Sequence, residues 1–102
     1  MTVQMHVTLE VKAAGMAQFC DVMREIVPIV EKAGWKLRGA FVQSTGRLNT
    51  VIDIWDLDDY DHLDRGIAAI VSHADGQRIL GILADSVSSE TIVFAKPAPY
   101  FT

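Results

Sequence analysis

The residues best suited to acid and base chemistry in this sequence are His6 and Asp53, which lie in two separate β-rich segments. An imidazole whose one nitrogen is held by a carboxylate is more basic at the other nitrogen, where it can take a proton from a substrate carbon or hydroxyl. Asn49 adds an amide that can stabilise a developing enolate. The sequence therefore predicts His6, Asp53 and Asn49 as catalytic residues. The alternatives are a structural hydrogen bond between His6 and Asp53, and a turn in which the Asn49 side chain bonds local backbone.

A second group of residues is suited to binding a flat hydrophobic substrate. Trp35, Phe41 and Trp55 offer aromatic surfaces for stacking, and Arg38 offers a cation for an anionic group. We therefore predict these four as substrate-binding residues. Aromatic residues are equally typical of a packed core or an interface, and for Trp55 that alternative is the stronger one.

The remaining metal-ligating residue types lack the spacing of a metal site. The acidic cluster from 53 to 64 has neither the central Gly nor the closing Glu of a calcium loop, and helix capping explains it better. His62 and His73 are about three helical turns apart, too far to share an ion. Cys20 is the only cysteine, which excludes a disulfide within the chain and a multi-cysteine zinc site. We expect no metal and no other cofactor.

Length and composition indicate one packed domain over residues 1–102. Hydrophobic residues make up 50% of the chain and charged residues 22%, as in globular proteins. The net charge of -4 argues against a nucleic-acid partner, because phosphate recognition needs clustered Lys and Arg. No segment resembles a signal peptide or a membrane span, and a single cysteine suits a reducing compartment. We expect a soluble cytoplasmic protein with no membrane partner.

The periodicity of the apolar residues predicts the elements that position these side chains. Strict alternation predicts a strand over 3–11, and steps of three or four predict an amphipathic helix from about 16 to 34, with Pro28 inside it. Two β-rich runs, 35–43 and 48–55, predict a hairpin. A second helix starts among the carboxylates of 56–61 and runs to about 72; a short helix over 75–84, a strand over 89–95 and an extended tail over 97–101 complete the chain.

This order of elements, strand, helix, strand, strand, helix, strand, is typical of the ferredoxin-like α+β fold, an antiparallel sheet with helices on one face. If Ile52 and Ile54 face the helices, the other face of the sheet holds His6, Asp53 and Trp55. A mixed polar and aromatic surface of this kind favours burial against a partner. We therefore predict a homodimer formed by two sheets, with any cavity between the sheets lined by these residues.

Two segments, GWKLRGAF over 34–41 and GRLNTVIDIW over 46–55, resemble the NIPSNAP family of dimeric α/β-barrel proteins, and the resemblance extends over residues 7–80. It implies a ferredoxin-like fold that pairs through sheet faces, but no particular reaction. The wider superfamily includes monooxygenases without cofactors, haem-degrading enzymes, isomerases, dehydratases and polyketide cyclases. Haem binders of this superfamily place an axial ligand in the region of His73. Where the family commonly has His two residues before the Trp, this chain has Asp53.

The leading functional hypothesis is a small homodimeric enzyme that acts without a cofactor on a hydrophobic carbonyl or phenolic molecule. His6 takes or gives the proton, Asp53 orients it and Asn49 stabilises the enolate, as in an isomerase, a cyclase or a monooxygenase. The competing hypothesis is a non-catalytic module that binds a ligand or a partner. Support for an enzyme comes from analogy of fold alone.

Overall fold

Four strands and three α-helices follow one another in the predicted order in the computed structural model, which describes residues 2–101. A 3-10 turn, Ala13–Gly15, leads into the first helix. The elements are β1 (Val3–Val11), α1 (Met16–Lys32), β2 (Lys36–Val42), β3 (Thr50–Leu57), α2 (Asp61–Ser72), α3 (Gly76–Ser86) and β4 (Val87–Ala95). The second helix is predicted to start within residues 56–61, and it starts at the last of these, Asp61. Residues 56 and 57 instead belong to β3, which ends at Leu57.

The strands form one antiparallel sheet in the order β2-β3-β1-β4, which confirms the ferredoxin-like α+β fold. Both edge strands carry one extra residue, so that each has a β-bulge. In β2 the unpaired residue is Arg38, and in β4 it is Ser88. The Ser88 hydroxyl donates a hydrogen bond of 3.0 Å to the main-chain carbonyl of Glu10 on β1, which satisfies the carbonyl at the irregularity.

The core lies between one face of the sheet and the three helices. On β1 every second residue from Val3 to Val11 is buried, and the residues between them are half-buried on the opposite face, as strict alternation predicts. On α1 the buried residues Phe19, Val22, Ile26 and Val30 recur at steps of three and four. We call the sheet surface opposite the helices the open face. No helix in the described part of the chain has the length and hydropathy of a transmembrane segment.

The end of α1 determines how the chain enters the sheet. Gly34 has a positive φ of 111°, and the amides of Gly34 and Trp35 donate to the carbonyls of Glu31 and Val30, which closes the last helical turn. A Cβ at position 34 would also lie 2.7 Å from Nε2 of His62 on α2. Both the backbone conformation and the close approach of His62 therefore require glycine here.

Strand β3 presents the opposite face from the one predicted. Val51, Asp53, Trp55 and Leu57 are buried toward the helices, whereas Ile52 and Ile54 are half-buried on the open face. The prediction that the two isoleucines face the helices is therefore wrong. Burying Trp55 together with Val51 and Leu57 removes more apolar area from water than burying the two isoleucines, and this gain outweighs the cost of one buried carboxyl group.

Candidate functional site

A cavity of about 240 Å³ lies between the sheet and the helices, on the side of β1, α2, α3 and β4. We call it the first cavity. Its lining is almost entirely apolar and includes both tryptophans. The most exposed apolar residues of the lining are Ile67, Leu80 and Ile92, so the cavity opens to solvent where α2 and α3 approach β4. An apolar cavity with few polar groups is the usual form of a small-molecule site.

Asp53 brings a carboxyl group into this apolar lining. The residue is only 4% exposed, and no side chain in residues 2–101 forms a hydrogen bond or an ion pair with it. Burial, with a smaller contribution from the negative charge of Glu90, raises the pKa of Asp53 to about 6. Asp53 is therefore mostly ionised at neutral pH and holds its proton weakly enough to exchange it. It can accept a hydrogen bond or a proton from a molecule in the cavity.

A donor lies on the same strand face as this carboxyl group. Trp55 follows Asp53 by two residues and lines the first cavity with it, and none of the hydrogen bonds among residues 2–101 uses the indole N–H of Trp55. Glu90 of β4, an exposed carboxylate, is the other acidic residue in this lining. The site thus combines one buried proton acceptor, one exposed carboxylate and one free neutral donor in otherwise apolar surroundings. The buried acceptor and the free donor are suited to a ligand that has a carbonyl or hydroxyl group on an apolar body.

The two tryptophans pack against each other at the first cavity. Their rings are in an edge-to-face arrangement with centroids 5.2 Å apart, and the indole N–H of Trp35 donates to the main-chain carbonyl of His62. Gly66, one turn further along α2, makes room for the Trp35 ring, because a Cβ at this position would overlap the indole. The structure thus places Trp35 and Trp55 at a cavity, but on the helix side of the sheet and not on the open face.

A second cavity, of about 210 Å³, lies on the other side of Asp53, under α1 and toward β2. Cys20 and Phe19 of α1 and Leu37 of β2 are in its lining. Of the residues that the structure describes, Met23 and Asp53 are the two that line both cavities. Asp53 is therefore accessible from the first cavity and from the second cavity, both on the helix side of the sheet.

The predicted pair of His6 and Asp53 is wrong, because the two side chains lie on opposite faces of the sheet. His6 pairs with Ile54 across the strands, and Asp53 pairs with Val7. Neighbouring residues of a strand point to opposite faces. The His6 ring N–H instead donates to Oε1 of Gln4 at 2.8 Å on the open face. His6 thus cannot be oriented by Asp53.

The structure places Asn49 in a turn. Its φ of 62° is positive, and its carbonyl accepts a 2.9 Å hydrogen bond from the amide of Val11. Asn tolerates this left-handed conformation better than most residues. Asn49 lines neither cavity that contains Asp53. Its position agrees with the alternative that it closes the hairpin, but the observed hydrogen bond is made by its main chain and not by its side chain.

The other predicted substrate-binding residues, Arg38 and Phe41, lie on β2. The Arg38 guanidinium bonds the Asp56 carboxylate on the open face. Phe41 is 59% exposed, and its ring folds over Gly39 on the open face, where an added Cβ would lie 2.8 Å from it. The residue is also in the lining of the second cavity. The predicted binding set is therefore divided between the cavities and the open face.

Sequence reasoning missed the supporting role of His62, which it weighed only as a metal ligand. His62 is buried, and its Nδ1 accepts a 3.0 Å hydrogen bond from the amide of Asp58, while its carbonyl holds Trp35. The signal was present, because His62, Gly66 and Ile70 recur every four residues and so share one buried face of α2. His73 lies at the end of this helix, outside both cavities. Within residues 2–101, no three His, Cys, Asp or Glu side chains are grouped so as to hold a metal ion.

Comparison with known families and structures gives one family match and several structural neighbours. The sequence model of the NIPSNAP family matches residues 6–101. No curated protein is significantly similar in sequence to this chain. The fold is similar to that of an uncharacterized NIPSNAP domain protein from Burkholderia xenovorans, with 24% identity, a TM-score of 0.77, and coverage of 100% of this chain and 99% of that one.

Two further solved structures have the same fold. A NIPSNAP family protein from Agrobacterium tumefaciens is 19% identical, with a TM-score of 0.79, and the alignment covers 97% of this chain and 88% of that one. An antibiotic biosynthesis monooxygenase is 15% identical, with a TM-score of 0.71, over 95% of this chain and 99% of the other. Identities this low show a shared fold and carry no statement about activity.

Proposed function

Because this chain belongs to the NIPSNAP family and holds a buried carboxyl group in an apolar cavity, we propose that it binds a small, largely apolar carbonyl or phenolic molecule beside Asp53 and exchanges a proton with it. The observation that carries this proposal is the unpaired Asp53 carboxyl group in the lining of the first cavity. Burying such a group without a partner destabilises a fold, and groups of this kind cluster at functional sites.

The proposed chemistry uses Asp53 as the base and the Trp55 indole as the donor. A base is most effective when its pKa is close to the working pH, and the pKa of Asp53, raised to about 6, meets this condition. When the carboxylate takes a proton from the carbon next to a carbonyl group, negative charge develops on the carbonyl oxygen. The free N–H of Trp55 can stabilise that charge. From the sequence alone, the proton transfer of an isomerase, a cyclase or a monooxygenase is assigned to His6. The proposal assigns this proton transfer to Asp53 instead.

The test uses acetophenone, which has an apolar ring, one carbonyl group and exchangeable methyl hydrogens. The wild-type protein should bind acetophenone and accelerate deuterium exchange at its methyl group in heavy water, as followed by NMR. Asp53→Asn should remove the exchange. The matched control is Asp56→Asn, three residues along β3 on the open face, which should leave binding and exchange unchanged. Binding without exchange would indicate a non-catalytic module, and the absence of binding would refute the proposed site.

Ligand binding should depend on pH with a midpoint near 6, the raised pKa of Asp53, and the direction should depend on the ligand. The phenol p-cresol donates a hydrogen bond to the carboxylate, so its affinity should increase by about tenfold as the pH rises through the midpoint. Acetophenone accepts a hydrogen bond from the protonated carboxyl group, so its affinity should decrease over the same interval. Isothermal titration calorimetry on both ligands measures this, and a flat profile for Asp53→Asn is the expected control. Equal slopes for the two ligands would contradict the assignment.

The homodimer is proposed to form by packing the open face of one copy against the open face of a second copy. Ile52 and Ile54 lie there with Phe41 and Val93, which are 59% and 52% exposed. His6 and Thr8 of β1 lie between β3 and β4 on this face, so a mixed apolar and polar surface is available for a second copy. Val93→Glu should convert the dimer to a monomer, as measured by light scattering. The control Val71→Glu alters an equally exposed valine on α2, away from the sheet, and should leave the mass unchanged. A wild-type monomer, or a dimer that survives Val93→Glu, would contradict this interface.

The proposed location is the cytoplasm. Cys20 is a free, half-buried thiol and the only cysteine in the sequence. A chain with one unpaired cysteine is suited to a reducing compartment, where the thiol stays reduced.

A further inference from the structure

The two cavities meet at two residues, Met23 and Asp53. Asp53 lies on the sheet between them, Met23 lies on α1 above the sheet, and among residues 2–101 these two alone line both cavities. The Met23 side chain is half-buried and packs against the core. The boundary between the cavities therefore includes a flexible side chain on the helix side and the candidate base on the sheet side.

We propose that the two cavities are halves of one binding chamber, that Met23 is the movable partition between them, and that the ligand carries apolar groups on both sides of the carbonyl or hydroxyl group that Asp53 contacts. This inference rests on the proposed function and adds to it the shape of the ligand. An elongated molecule would lie along the helix face of the sheet, from the β4 side to the β2 side, with its polar group at the middle.

Size favours a joint chamber. The volumes of about 240 and 210 Å³ each fall below the roughly 300 Å³ at which small-molecule sites usually begin, whereas the two together fall within the usual range. Both linings are mainly apolar, with Ile67 and Ile92 in the first cavity and Phe19 and Val27 in the second. A molecule with one apolar arm would fill one half only.

The nature of the partition favours movement. Methionine is unbranched and has three rotatable bonds, so its side chain can take another rotamer at small cost and fill irregular space. A branched or aromatic residue at position 23 would form a more rigid wall. Met23 therefore allows the chamber to be divided when it is empty and continuous when it is occupied.

Cys20 provides a reporter for the second cavity. It lines that cavity and is absent from the lining of the first, and it is the only thiol in the chain. A ligand that passes Met23 should therefore shield Cys20 from a small thiol reagent. A ligand confined to the first cavity should leave the rate of thiol modification unchanged.

The experiment compares acetophenone with deoxybenzoin, which has a second phenyl ring on the other side of the carbonyl group. Binding and the rate of Cys20 modification are measured for the wild-type protein, for Met23→Ala and for the control Met16→Ala. Met16 is also on α1 and half-buried against the core, but it lines neither cavity. Thermal unfolding of both variants confirms that they are folded at the assay temperature.

We expect deoxybenzoin, but not acetophenone, to slow the modification of Cys20 in the wild-type protein. Met23→Ala should bind deoxybenzoin at least about tenfold more tightly, because the second ring no longer displaces a side chain, while the affinity for acetophenone stays within about threefold. Met16→Ala should behave as wild type. If acetophenone binds in an Asp53-dependent manner but Met23→Ala gains nothing for deoxybenzoin and Cys20 stays unshielded, the partition is refuted and the proposed function stands. If neither ketone binds, both proposals fail.

Discussion

Replacing Asp53 by Leu should raise the free energy of unfolding at neutral pH by about 3 kcal/mol while it abolishes ligand binding. Folding raises the pKa of this carboxyl group from 3.8 to about 6, and each pKa unit corresponds to about 1.4 kcal/mol. An acid that binds its proton more tightly in the folded state stabilises the fold when protonated. This stabilisation is fully present below pH 3.8 and is lost as the pH rises to 6. Leu has no charge to desolvate and removes the penalty.

Urea denaturation over a pH series measures this effect. The advantage of Asp53→Leu over wild type should be large above pH 6 and should shrink as the solution is acidified toward pH 3.8. Asp56→Leu is the control, because Asp56 lies on the open face and bonds Arg38, so its replacement should give no stabilisation at neutral pH. A variant that is less stable than wild type at neutral pH would show that the carboxyl group serves the fold, and the case for a functional role would be lost. A stabilising but inactivating change is typical of a functional residue.

The second large effect is expected at Gly66. Within a helix, Gly→Ala usually stabilises by about 1 kcal/mol. Here a Cβ would overlap the Trp35 indole, and the ring would have to move away from its hydrogen bond to the carbonyl of His62. Overpacking of this kind costs about 1 to 3 kcal/mol, and the lost hydrogen bond about 1 kcal/mol more. We therefore expect Gly66→Ala to lower the free energy of unfolding by about 2 kcal/mol.

Gly81 provides the matched control for this substitution. It lies in α3, and a Cβ at this position would meet no atom within 4 Å. Gly81→Ala should therefore stabilise the protein by about 1 kcal/mol, which is the usual helix propensity difference. Thermal unfolding followed by near-ultraviolet circular dichroism, which reports on the paired tryptophans, distinguishes the two variants. A shift of the melting temperature in the same direction for both variants would contradict the claim that the Trp35 indole requires glycine at position 66.

The strands were predictable where their two faces differ clearly. In β1 all the residues of one set are apolar and all those of the other are polar, so both the strand and its buried face could be assigned. In β3 the two sets are mixed, because Asp53 shares a face with Trp55, and Asp56 shares a face with Ile54. Assigning Ile52 and Ile54 to the helix side reversed the whole strand, since a change of one residue exchanges the faces.

The candidate site was predictable in its residue types and not in its location. Asp53, Trp35 and Trp55 were identified from their chemistry, and all three line a cavity. The cavity lies under the helices because three helices leave gaps over a four-stranded sheet, and those gaps depend on how the elements pack. The proposed role of Met23 as a partition between the two cavities could not be predicted from the sequence. It depends on the placement of α1 above β3, which is a property of the fold.

The bulges in the two edge strands affect how the protein behaves at high concentration. Regular edge strands have free amides and carbonyls that recruit further strands, which is a common start of aggregation. The extra residues, Arg38 in β2 and Ser88 in β4, break the regular spacing of these groups at both ends of the sheet. Growth of the sheet into a fibril is therefore opposed at each edge. Association through a sheet face can then stop at a closed assembly instead of continuing as a polymer.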